Sequence, residues 1–166
     1  LKTEKWGGII VSQNQLTSAN QDSSEDTRVQ DIFQSMLNLS LAIASATSGS
    51  VMLFDPQTIE LSVCVAKGLN GQYLNTRIKL HDGVSGLAFQ EDKTLLIQGK
   101  AESRMKNLLK RQDIKQSIVM PFKAPNLKTR GVLNINMMKT ISGGNERLED
   151  INGSIQRIMA NILQAI

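Results

Sequence analysis

Few residues in this chain are of a type that does chemistry, and they are scattered. His81, the single histidine, stands beside Asp82 in a His-Asp-Gly turn. A histidine next to an acid can serve as a base or a haem ligand. The same dipeptide in a turn is also an ordinary solvent-exposed pair. Ser85 lies in Gly83-Val84-Ser85-Gly86, which is too short for a dinucleotide fingerprint and is not a nucleophile elbow. Cys64, the single cysteine, sits in a strand interior, followed by Val65, and reads as a small core residue. No Cys/His cluster has metal-ligand spacing. These features argue against an enzyme.

Two patterns point to binding instead. Asn134 and Asn136 are two amides on one face of an otherwise apolar strand. If buried, they must find partners, and a ligand with donors and acceptors can supply them. An exposed face or a neighbouring loop would satisfy them equally. Residues 100–130 carry nine basic side chains against two acids, Glu102 and Asp113, although the whole chain is only +4. Such a run can steer anions or form a solvated helix face. No aromatic residue falls between Lys100 and Lys115, so base stacking is poorly supported and nucleic acid is not the expected partner.

The elements that must position these residues follow from periodicity. Residues 1–26 read as an arm or linker: Gly7-Gly8 interrupts the start, and residues 12–26 are polar without apolar period. Trp6 lies in this arm. Thr27 and Gln30 have capping-box form. Residues 27–44 then carry a helical stripe through Ile32, Phe33, Met36 and Leu37. Residues 50–54 form a strand, Asp55-Pro56 begins a tight turn, and residues 59–66 alternate. The alternation assigns Leu61, Val63 and Val65 to one face and Ser62, Cys64 and Ala66 to the other.

Residues 76–80 form a short strand that ends in a turn at Gly83, where φ > 0 is needed. A short helix with Val84, Leu87, Ala88 and Phe89 and a strand at 94–97 follow. Residues 99–116 are a charged loop and helix with Met105, Leu108 and Leu109 on its apolar side. Strands at 117–122 and 131–138 form a hairpin. Pro121 suits an edge or a strand end. Asn145 is placed to cap a last helix, whose stripe runs through Ile151, Ile155, Met159 and Ile162 to residue 166. The order predicts an α+β fold.

Composition agrees with one soluble domain. The chain has 166 residues, 40% hydrophobic and 20% charged, with only 4% aromatics, so its core must be aliphatic and Met-rich. No run of apolar residues is long enough to span a membrane, no signal peptide is evident, and one cysteine suits a cytoplasmic location. The chain starts at Leu1 and has the look of a segment of a longer protein.

Six segments, in order, resemble the GAF family of sensor modules. They are Ser48-Gly49-Ser50-Val51-Met52-Leu53-Phe54-Asp55, Ala66-Lys67-Gly68-Leu69, Arg77-Ile78-Lys79-Leu80, Gly83-Val84-Ser85-Gly86-Leu87-Ala88, Ser117-Ile118-Val119-Met120-Pro121 and Gly131-Val132-Leu133-Asn134-Ile135-Asn136. The resemblance implies a GAF/PAS-like antiparallel sheet of five or six strands. The terminal helices would lie on one face and short helices and loops over a small-molecule pocket on the other. By position, the implied pocket residues are Gly86, Leu87, Phe89, Leu96, Leu108, Val119, Asn134 and Asn136.

The resemblance also implies a regulatory domain of a bacterial histidine kinase, cyclic-dinucleotide enzyme or transcription regulator. It would dimerise through helices 27–44 and 145–166 and act on an effector domain. The alternative is a ligand-free dimerisation module of the same fold. The departures narrow the class. The N-K-x-F-D-E motif of cyclic-nucleotide-binding members is missing, Cys64 lacks the following histidine of bilin-attaching members, and sulfoxide-reductase members need more than one cysteine. No cofactor is indicated.

Overall fold

A computed structural model describes residues 23–68, 76–98 and 114–165, and the side chains from residue 27 onward. Trp6, residues 1–22 of the arm, Leu108 and most of the basic run lie outside the described residues, whereas residues 23–26, read as the end of the arm, open the first helix instead. Helix α1 (Ser23–Ile43) is followed by strands β1 (Ser48–Asp55), β2 (Glu60–Lys67) and β3 (Arg77–Lys79). Helix α2 (Gly83–Glu91), strands β4 (Leu95–Gln98), β5 (Gln116–Ala124) and β6 (Thr129–Met137), and helix α3 (Gly144–Ala165) complete the order. The six strands form one sheet, ordered β3-β2-β1-β6-β5-β4, and every neighbouring pair is antiparallel. The α+β architecture read from the sequence is the one observed.

Both faces of the sheet are buried, and by different partners. On one face α1 and α3 cover Val51, Val65, Ile118, Met120, Leu133 and Ile135, with Phe33, Met36, Leu37, Leu148, Ile155 and Met159 supplied by the helices. On the other face α2 brings Ala88 and Phe89 onto Met52, Leu61, Val63, Val119 and Val132. Alternation along β5 and β6 sorts their residues between the two layers, because successive side chains point to opposite faces.

The alternation read for β2 is corrected. Val51 pairs with Val65, but Met52 pairs with Val63, so one extra residue, Cys64, is inserted opposite β1. A bulge of this kind flips every later side chain to the other face. Leu61 and Val63 therefore face α2, whereas Val65 and Cys64 pack on the terminal-helix side.

Two predicted caps also fall elsewhere. Helix α1 begins at Ser23, so Thr27 lies inside the helix rather than ahead of it. Asn145 is the second residue of α3, and its Oδ1 accepts a hydrogen bond from Gln98 Nε2 instead of closing the helix's own end. The proline expectation holds in kind: β4 pairs only with residues 116–119 of β5, and Pro121 stands beyond it, where its missing N–H interrupts no ladder on that side.

The β1–β2 turn is held by charge. Asp55 is buried, accepts the Gln57 N–H at 2.9 Å and faces the Arg77 guanidinium at 3.8 Å. Burial alone would raise its pKa, but hydrogen bonds from Gln57 and Thr58 and the Arg77 charge outweigh burial and hold it below the usual 3.8. A depressed carboxylate stabilises the fold above its unfolded pKa, and that contribution is lost as pH falls through the folded value. Wild type and Asp55→Asn should therefore differ in unfolding free energy by a constant amount above about pH 5. The gap should shrink below pH 3.8. Denaturant titrations at each pH check this, and a gap that widens on acidification would refute it.

Candidate functional site

The α2 face of the sheet is not uniform. Cross-strand pairing places side chains of paired residues on the same face, so the rows can be read across the strands. One row runs Val63, Met52, Val132 and Pro121, all apolar. The next runs Ala66, Ser50, Asn134, Val119 and Leu95. The last runs Ser48, Asn136, Ser117 and Ile97. Two rows of this face thus carry hydroxyls and amides at the centre of the sheet. This is also the end at which the described chain leaves at Gly68 and Gln98 and returns at Ile114.

These groups are bonded to one another. Ser85 of α2 donates to Asn134 Oδ1 at 3.0 Å, and Asn134 Nδ2 donates to Ser50 Oγ at 3.3 Å. Ser117 donates to Asn136 Oδ1 at 2.8 Å and lies 3.0 Å from the Ile135 carbonyl. Ser48 breaks the pattern. It is 1% exposed, and its hydroxyl finds no hydrogen-bond partner among the described residues. Its neighbours in the row are amide and hydroxyl groups, so it stands ready for one more polar partner.

An unpaired buried hydroxyl costs about 1–3 kcal/mol of desolvation. Ser48→Ala should therefore leave stability unchanged or raise it, as read by a urea unfolding midpoint. A loss above about 1 kcal/mol would mean that the hydroxyl has a partner in the folded state.

Helix α2 is clamped at both ends. Gly83 takes φ +90° to open it, and Asp92 ends it in the left-handed region with N–H bonds back to Ala88 and Phe89. The Asp92 carboxylate meets Lys123 at 2.5 Å and Arg130 at 3.7 Å. The Lys123 hydrogen bond, followed by the charges of Lys123 and Arg130, lowers its pKa. Arg130 also lies over the Phe89 ring at 4.5 Å, and Phe89 meets Phe54 at 4.7 Å. Two members of the basic run are thus engaged in holding α2 on the sheet.

The expected pocket residues divide. Gly86, Leu87, Phe89, Val119, Asn134 and Asn136 belong to α2 or to the face it covers. Leu96 does not: it packs with the terminal-helix layer, while Leu95 and Ile97 face α2. A four-residue strand can send only alternate residues to one side. Ser48 and Ser50, which share the polar rows, are not among the expected pocket residues. The readable signal was Ser48-Gly49-Ser50, polar at alternate positions where a strand enters an apolar core. An open groove of about 560 Å3 lies elsewhere, between α3 and β5, with Met120, Phe122, Met159 and Leu163 among its walls, and no expected pocket residue lines it. Among the described residues, no group of three His, Cys, Asp or Glu side chains is placed to hold a metal.

Comparison with solved structures decides the fold. The GAF domain region of a putative membrane protein from Geobacter sulfurreducens superposes with TM-score 0.64 at 17% identity, covering 86% of this chain and 98% of that one. The chain folds as a GAF domain. The second GAF domain of DevS from Mycobacterium smegmatis gives TM-score 0.60 at 17% identity, with 81% and 93% covered. A free methionine-R-sulfoxide reductase from Neisseria meningitidis, solved with its substrate, gives 0.60 at 19% identity, with 86% and 83% covered. No family model matches the sequence. No curated protein matches it either. Among these neighbours the same fold serves a reductase as well as GAF domains of other proteins, so the fold does not fix the function.

Proposed function

We propose that this is a regulatory, small-molecule-sensing GAF domain of a bacterial signalling protein. Its ligand seats on the polar end of the α2 face and contacts Ser48, Ser117, Asn134 and Asn136. The observation that carries the reading is the buried Ser48 hydroxyl, without a partner among the described residues, in a row of amides and hydroxyls. Binding would bias α1 and α3, on the opposite face, toward one of two arrangements, and an effector domain would read the result. That requires a ligand with different affinity for the two arrangements.

Reductase chemistry is disfavoured by the residue that would have to perform it. A thiol reacts as its thiolate, and burial pushes Cys64 up to about 12. It lies in the β2 bulge on the terminal-helix side, away from the polar rows.

A second reading, a ligand-free dimerisation module, has its own support. The apolar rows of the α2 face are already filled by Ala88, Phe89 and Met52. In addition, α1 leaves Leu39 47% exposed, and Ile32, Ile158 and Ile162 are half-buried. Thermal denaturation against cyclic mono- and dinucleotides, amino acids, 2-oxo acids and tetrapyrroles separates the two. A ligand of the native state adds about 2.7 kcal/mol at a hundredfold excess over Kd. A dose-dependent rise in Tm that Asn136→Leu abolishes supports sensing. A flat panel, with a dimer that survives dilution, supports the module.

A further inference from the structure

We infer that Gln116 and Gln98 couple the polar end of the sheet to the start of α3, and that Gly143-Gly144 is the hinge they control. The inference rests on reading that end of the sheet as the ligand site.

The terminal-helix face of β5 carries Ile118, Met120, Phe122 and Ala124, all apolar and buried. Gln116 occupies the first position of the same row and is 0% exposed. A buried amide there is costly unless it is bonded. It is bonded on both sides. The Ile141 N–H donates to Gln116 Oε1 at 2.6 Å. A backbone N–H can only donate, so this contact orients the amide and turns Nε2 toward Gln98, whose Oε1 it reaches at 3.4 Å. Gln98 Nε2 in turn donates to Asn145 Oδ1.

The two ends of this chain of amides fall on either side of one joint. Ile141 precedes Gly143 and Gly144, and Asn145 follows them as the second residue of α3. Both glycines are left-handed, with φ +104° and +62°. Two adjacent glycines in that region make the joint the place where α3 changes direction most easily. With Ile141 and Asn145 both held, the direction of α3 is tied to the positions of Gln116 and Gln98.

The same residues touch the polar end. Gln116 is followed directly by Ser117, which faces the other side of the sheet and bonds Asn136. Gln116 pairs with Met137, and Ser117 pairs with Asn136. A partner that captures the Ser117 hydroxyl or the Asn136 amide resets β5 against β6 at this point. Gln116 sits on the shared peptide and carries the shift to Ile141 directly and to Asn145 through Gln98. Coupling of this kind is shown by an energetic test, not by adjacency.

The test is a double-mutant cycle that needs no ligand. Asn136→Ala perturbs the polar end, and Gln116→Met cuts the amide chain while keeping a buried side chain of similar length. Amide hydrogen exchange of residues 144–152 is the readout. In the wild-type background Asn136→Ala should speed exchange there by between about twofold and thirtyfold. In the Gln116→Met background the same substitution should change it little. Equal effects of Asn136→Ala in the two backgrounds, or no effect in wild type, would overturn the coupling.

Should Gln116→Met fail to fold, Gln98→Ala repeats the cycle. Gln98 is only half-buried, at the edge of the sheet, and its loss removes the bonds to Gln116 and to Asn145 while leaving the Ile141 N–H on Gln116. Because the Ile141 branch remains, the effect of Asn136→Ala should be reduced rather than abolished in this background, and an effect equal to that in wild type would overturn the coupling. A flat metabolite panel with a positive cycle would remove the ligand reading and leave the coupling. A binding compound with a null cycle would do the reverse.

Discussion

Phe33→Ala is expected to lower the unfolding free energy by about 3–5 kcal/mol, the cost of emptying a fully buried phenylalanine site. Phe33 is 0% exposed, and its ring meets Phe122 of β5 at 5.8 Å in a tilted pair. Aromatics are scarce in this chain, and this pair ties α1 to the sheet across the main core. The surrounding side chains, Met36, Leu37 and Met120 among them, are long enough to relax partly into the space, so the lower half of the range is expected. The urea midpoint should fall with an unchanged m-value, because the surface exposed on unfolding is nearly the same. Phe33→Leu should cost much less. A loss under about 1 kcal/mol for the alanine variant would mean that α1 is not seated on the sheet as described.

Gly86→Ala is expected to destabilise the fold by about 1–3 kcal/mol or more, the usual cost of forcing atoms into a filled site. Helix propensity alone points the other way, since alanine is favoured over glycine by about 0.8–1.0 kcal/mol in a helix interior. The local geometry decides the sign. A Cβ on Gly86 would lie 2.7 Å from the Leu80 carbonyl carbon and 2.9 Å from its Cα, with the carbonyl oxygen closer still. These are backbone atoms beside a turn closed by the Asp82 N–H to Lys79 carbonyl bond at 2.9 Å, so they cannot yield as a flexible side chain would. Relief requires α2 to lift, which would also strain the Ser85–Asn134 bond.

Gly153→Ala is the internal control. Its Cβ would meet only the end of Arg157, at 3.7 Å. That substitution should stabilise by about 0.5–1 kcal/mol. Chemical denaturation of the two variants side by side checks both signs. A stable Gly86→Ala protein would place α2 farther from Leu80 than described.

Much of the fold was legible because local physics and tertiary structure agree in this chain. The 3.6-residue stripe through Phe33, Met36 and Leu37 and that through Ile151, Ile155 and Met159 lie on the buried sides of α1 and α3. The Gly83 turn takes the positive φ its sequence invited. The β2 assignment failed at Cys64, since a bulge is created by pairing with β1 and leaves no mark on the alternation of β2 itself. The Asn145 cap failed for a related reason: its side chain found a stronger claim in Gln98, far away in sequence.

The candidate site was half legible. Asn134 and Asn136 share a face by spacing alone, and that follows from the two-residue period of a strand. Their partners are remote: Ser85 is 49 residues from Asn134 and Ser50 is 84. A serine in a sequence gives no sign of which amide it will meet.

By itself, then, the sequence determined the element order, the apolar stripes, the polar pair on β6 and a single cysteine unsuited to dithiol chemistry. Only the tertiary structure decided which side of each strand faces α2 and which faces the terminal helices. This sheet is buried on both sides, and apolar residues therefore occupy both phases of the alternation. Hydrophobicity can separate inside from outside, but it cannot tell one interior from another. Pairing register and helix placement make that choice. They set Leu96 against α1 and α3, Phe89 against Phe54 and Arg130, and Ser48 in a buried row of hydroxyls and amides.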